Sequence, residues 1–201
     1  MQLLMAALVV VNLQLVVRVY DSAGVPPADV ERARASVGAI LASVGIDPIW
    51  RPCHASTCTG PVKPHEVVLR LVRSTRGSAR ESLGSSLIDV SQHAGSLGTI
   101  YADRVRALAA QAGVDEGELL GRAIAHEIGH MLIGTSEHSR VGLMRAVWVT
   151  NELRRGQPSD WVFSGREGAE LRQRLEARTP PTLMARANGG WLEFEPDVCD
   201  R

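Results

Sequence analysis

The chain has no surplus of charge. Its 22 lysines and arginines balance 22 aspartates and glutamates, giving a formal net charge of zero. Aromatic residues are scarce, at 4%. No basic stripe interleaved with aromatics offers a nucleic-acid surface, and the scattered arginines read as solvated helix faces. Long apolar runs are also missing. The longest, residues 3–11, falls short of the roughly 20 residues that cross a bilayer. It lacks a positive n-region and a small-x-small cleavage site. Residues 1–11 therefore read equally as a degenerate export signal or as part of the first strand. The first reading places the chain in the cell envelope or outside the cell, the second in the cytoplasm.

Cysteine is nearly absent, with three residues: Cys53, Cys58 and Cys199. No CxxC pair occurs, which argues against a structural zinc knuckle. Cys53 and Cys58 share a loop rich in Pro, Ser, Thr and Gly. A local disulfide is sterically allowed there and would fit an oxidising compartment. A metal site of Cys53, His54 and Cys58 is the remote alternative. Cys199 has no partner in this count, and His65 and His93 read as solvent-facing. No internal repeat or low-complexity tract is present.

What remains is a chain of 201 residues, 45% apolar, enough for a substantial core in one domain split by a cleft. Strands are expected at residues 13–20, 46–50, 66–72, 87–90 and 95–101, with Pro48 putting the second near a sheet edge. Helical spacing marks residues 28–44, 103–112 and the stretch after Asp115, where Asp115 and Glu118 suit a capping box. Regularity stops after Gly134 and returns at residues 162–175, with Ser164 as a helix cap. The tail from residue 178 reads as irregular, with WLEFE a short extended piece. This order predicts a mixed α/β chain with a sheet-rich first half.

The third helix carries HEIGH. His126 and His130 are four apart, hence one turn apart on one helix face. Two such imidazoles can hold a zinc ion, which lowers the pKa of a water and polarises a carbonyl. Glu127 then suits a general base that hands the proton to the leaving amine. A third ligand is needed. Gly134 lets the chain turn sharply and return His138 to the metal. Glu152 is the rival, and Glu137 a weaker one. Glu152 otherwise reads as a solvated helical residue beside Arg155. Residues 95–101 are the expected edge strand for a bound peptide, with Ser96, Leu97, Gly98 and Thr99 offering backbone groups.

The run of His126, Glu127, His130, Gly134, His138, Ser139 and Met144 resembles the active site of the metzincin metallopeptidases, matrixin-like ones in particular. The resemblance implies a zincin-like fold, with a twisted, mostly parallel sheet, a backing helix and an active-site helix. A smaller, irregular and helical C-terminal subdomain then follows. It implies one domain over residues 12–201, with an upper part to 134 and a lower part from 135. It also implies zinc on His126, His130 and His138, base catalysis by Glu127, Met144 as a non-ligand floor, and cleavage of peptides or proteins. The family spacing is HExxHxxGxxH. Here three residues fill each gap around Gly134, and one added residue turns a helix by about 100°. Arg145 follows Met144 where matrixins carry proline, and no tyrosine stands just after it. Asn151–Glu152 echoes the NExxD segment of thermolysin-like enzymes, with Arg155 in place of the aspartate. A peptidase, a zincin-like binding or structural protein of weak or no activity, and a hydrolase of non-peptide amides all remain open.

Overall fold

The computed structural model describes residues 12–54, 56–75 and 82–180. Residues 1–11, the WLEFE piece and Cys199 lie outside them. β1 (Leu13–Asp21) is followed by α1 (Pro27–Ala42), β2 (Ile46–Pro52), β3 (Glu66–Val72), β4 (Gly84–Asp89) and β5 (Ala94–Tyr101). Then come α2 (Ala102–Ala112), α3 (Glu116–Ile133), α4 (Thr150–Arg155), a 3-10 turn (Pro158–Trp161) and α5 (Gly165–Arg178). The strands form one sheet in the order β2-β1-β3-β5-β4. β2, β1, β3 and β5 run parallel, and β4 pairs antiparallel with β5. Helices back this mostly parallel sheet, and a smaller helical subdomain closes the C-terminal side.

Both faces of β1 are buried, for different reasons. Leu15 and Val17 enter the apolar core, while the alternate residue Arg18 is buried on the other face. Arg18 donates to the Gly60 carbonyl (2.8 Å) and the Pro61 carbonyl (3.0 Å) and pairs with Glu66 (2.5 Å). The Tyr20 hydroxyl donates to the Cys58 carbonyl (3.3 Å). Cys58, Gly60 and Pro61 are thereby fastened to β1. The Cys53–Cys58 disulfide is formed, with the Cα atoms 5.5 Å apart, so the two thiols are not free to bind a metal with His54. His65, expected at the surface, is buried beside Glu66.

α3 is the axle of the molecule. Buried residues run unbroken along it from Leu119 to Ile133, and it packs on α1, α2, α5 and the sheet. The Asp115 side chain accepts from the Glu118 N–H (2.8 Å). Only that half of the expected capping box forms, because the Glu118 carboxylate turns to Arg122. The complete box lies at α5, between Ser164 and Glu167.

Candidate metal centre

Gly134 ends α3 with φ 75°, and its N–H donates to the His130 carbonyl (2.8 Å). A Cβ there would collide with the His93 backbone at the tip of the β4–β5 hairpin. The chain turns at this point, and the Thr135 carbonyl comes to 2.7 Å from His130 Nδ1. Farther on, Leu143 N–H donates to the Val162 carbonyl (3.0 Å) and Ser139 N–H to the Met144 carbonyl (2.8 Å). That tight loop sets the Leu143 carbonyl 2.9 Å from His126 Nδ1. Met144 is buried beneath α3, with its sulfur against Gly129 between the two helical histidines.

These carbonyls decide what the imidazoles can do. A carbonyl accepts only, so Nδ1 of His126 and of His130 carries the proton. Burial pushes the His126 pKa down to about 4, against the help of the Leu143 carbonyl, and holds His130 and His138 below the usual value. The helical rings are thus neutral, with bare Nε2 lone pairs. His130 Nε2 lies 3.0 Å from His126 Nε2 and 3.3 Å from His138 Nε2. The three candidate ligand atoms fall within 4.8 Å of one another. Lone pairs this close repel unless a cation lies between them. Tetrahedral zinc with Zn–N of about 2.0–2.1 Å spaces its nitrogens by roughly 3.3–3.4 Å. The donor set fits a metal such as zinc, with the orienting carbonyls already in place.

Glu127 is buried on the side of α3 that faces β4. Burial lifts its pKa to about 7, against the lowering effect of Ser86. The Ser86 hydroxyl lies 2.6 Å from Glu127 Oε2 and 3.1 Å from the Glu127 carbonyl. Gly84 provides the slot, since a Cβ there would stand 2.7 Å from Oε1 and 2.9 Å from Cγ. A cleft of about 530 Å³ opens here, bounded by Ser82 to Ser86 of the β4 region, the three histidines, Glu127, Arg145 and Trp148.

The structure rearranges some of the expected parts. The strand with Ser96, Leu97, Gly98 and Thr99 is not an edge: β5 is paired on both sides, by β3 and β4. Its glycines serve packing. A Cβ at Gly95 would meet Met131 Cα at 3.0 Å, and one at Gly98 the Met131 side chain at 3.2 Å, so they let α3 lie close to the sheet. The edge beside the cleft is β4, whose alternation of Gly84, Ser86 and Ile88 toward α3 is the sequence signal that could have marked it. Glu152 stands apart from the histidines, and its ion-pair partner is Arg145 (2.8 Å), not Arg155. Glu137 is exposed and also outside the cluster. Ser86, Arg145 and Trp148 were not foreseen as parts of the site.

No protein-family model and no curated protein sequence matches the chain. Among solved structures, the crystal structure of archaemetzincin from Methanopyrus kandleri is similar, with a TM-score of 0.51 and 16% identity. The match covers 82% of this chain and 96% of that one. The chain therefore has a zincin-like α/β fold, similar to that of the archaemetzincin structure, with a three-histidine cluster able to hold a metal ion.

Proposed function

We propose that the chain is a zinc-dependent hydrolase of peptide bonds. The observation that carries this reading is the position of Glu127, a buried carboxyl held by Ser86 next to a metal-ready histidine cluster and open to the same cleft. When bound, the metal supplies Lewis acidity. His126, His130 and His138 would hold it through Nε2. Ser86 anchors Glu127 Oε2 and leaves Oε1 to take a proton from the attacking water and pass it to the departing amine. A carboxylate held at this position can both accept that proton and return it. Main-chain groups on the outer edge of β4 provide a rail for an extended peptide. The Cys53–Cys58 bond supports export to an oxidising compartment.

The second reading is a zincin-like protein that holds metal without turnover. Its support is the lengthened spacing around Gly134 and the absence of a tyrosine after Met144. Cleavage of an unbiased peptide library separates the two, comparing zinc-loaded protein, chelated protein and Glu127→Ala. Chelator-sensitive products that vanish in Glu127→Ala, by about 10²- to 10⁴-fold in rate, support the hydrolase. Zinc-loaded protein that cleaves nothing in the library favours the metal-holding reading.

A further inference from the structure

Five buried side-chain nitrogens lack an acceptor among the described residues, and two of them, Arg145 Nη2 and Trp148 Nε1, belong to residues that line the cleft. Arg145 is held firmly: Nε donates to the Gly142 carbonyl (3.0 Å) and Nη1 pairs with Glu152 (2.8 Å). Its guanidinium also lies 5.6 Å from the Trp161 ring centroid. The Trp148 ring stands edge-on to the His126 ring, with centroids 5.6 Å apart. Trp148 thus sits against the metal cluster, and Arg145 lines the same cleft on a side chain held in place. Among the described residues, Arg145 is the only arginine or lysine lining this cleft, and Glu127 its only acid. A buried N–H without an acceptor is costly, and a guanidinium with a free N–H is shaped for a carboxylate.

We infer that Arg145, assisted by Trp148, reads a carboxylate, so that the preferred ligands are peptides with an aspartate or glutamate side chain within a residue or two of the bond held at the histidines. The inference deepens the peptide-hydrolase reading and rests on it for the identity of the ligand. Glu152 does not cancel the effect. It occupies one nitrogen of the fork and fixes the orientation of the rest.

The test uses capped peptides of alanine and glycine in which one aspartate, or one isosteric asparagine, is moved through each position. Binding is read by tryptophan fluorescence on zinc-loaded Glu127→Ala protein, and cleavage is read separately on zinc-loaded native protein. The aspartate series should bind about tenfold tighter than the asparagine series at one or two positions. Arg145→Met should bring that ratio to within about twofold, Arg145→Lys should restore part of it, and Trp148→Phe should lower it while keeping the ring. Each Arg145 variant is scored only where it still binds zinc and the asparagine series, so that a lost ratio reports the guanidinium and not the fold. Equal binding of the two series overturns the inference, because water then satisfies these donors. An aspartate preference that persists in Arg145→Met also overturns it, because the metal then reads the acid. Cleavage without acid preference defeats this inference and leaves the hydrolase standing. Acid-selective binding with no cleavage does the reverse.

Discussion

Replacing Gly134 by alanine tests how the helix end builds the metal cluster. The residue sits at φ 75°, a left-handed conformation that costs an L-residue roughly 1–2 kcal/mol. The new methyl also enters the backbone of His93, and overpacking of that kind costs about 1–3 kcal/mol. The sum, about 2–5 kcal/mol, is a large share of the 5–15 kcal/mol that holds a typical domain together. For a chain of this size it lowers Tm by roughly 4–20 °C. Gly113 is a control within the same protein. It has φ 67° but nothing within 4 Å of an added Cβ, so Gly113→Ala carries only the conformational cost. Thermal unfolding of both variants, metal-free, isolates the His93 contact as their difference. Zinc competition against a chromophoric chelator adds a second readout. Gly134→Ala displaces the Thr135 carbonyl that orients His130 and weakens zinc, whereas Gly113→Ala leaves zinc untouched. Equal melting temperatures and equal zinc affinities would refute the claim that this glycine shapes the site.

Three further outcomes are expected. His138→Ala lowers zinc affinity sharply in the same competition assay, and Glu152→Ala leaves it nearly unchanged; the opposite ranking contradicts the cluster described above. For Glu66, burial pushes the pKa up, but the Lys63 N–H, Arg18 and Arg51 together outweigh it and hold the carboxyl below its usual 4.5. Its stabilisation is therefore complete above about pH 4.5 and fades as pH falls through the lower folded value. Denaturant titrations of native protein and Glu66→Gln should accordingly converge in acid and separate toward neutrality, and parallel curves would exclude this linkage. Reducing Cys53–Cys58, or changing both to serine, should cost about 2 kcal/mol on the loop-entropy relation without altering zinc stoichiometry; loss of zinc would tie that loop to the site.

The elements that sequence made plain are those with a local cause. The apolar spacing of Leu119, Leu120, Ala123, Ile124 and Ile128 marks α3 as a helix, and the His126–His130 interval then places both rings on one face without reference to the rest of the chain. β3 follows from its valines and leucines in the same way. The sheet order is not local, and there the reading failed. Gly95 and Gly98 are equally suited to admit a peptide or a helix, and only the pairing of β5 with both β3 and β4 shows that they admit α3. Glu152 has Arg155 three residues away, yet the fold of the loop before α4 brings Arg145 to it first. α4 itself, six residues long, is too short for periodicity to reveal. Ser86 meets Glu127 across 41 positions, and no pattern within either segment encodes that meeting.

The two ring clamps have a bearing on how this centre tolerates sequence drift. The acceptors that set the tautomers of His126 and His130 are main-chain carbonyls, those of Leu143 and Thr135. Point substitution replaces side chains and leaves carbonyls in place. The turn after α3 can therefore change its letters, and even gain residues on both sides of Gly134, so long as two oxygens arrive at the same points in space. A centre oriented this way is inherited as a path of the backbone more than as a string of letters. The spacing of letters between the ligands is thus a looser constraint on this centre than the course of the main chain.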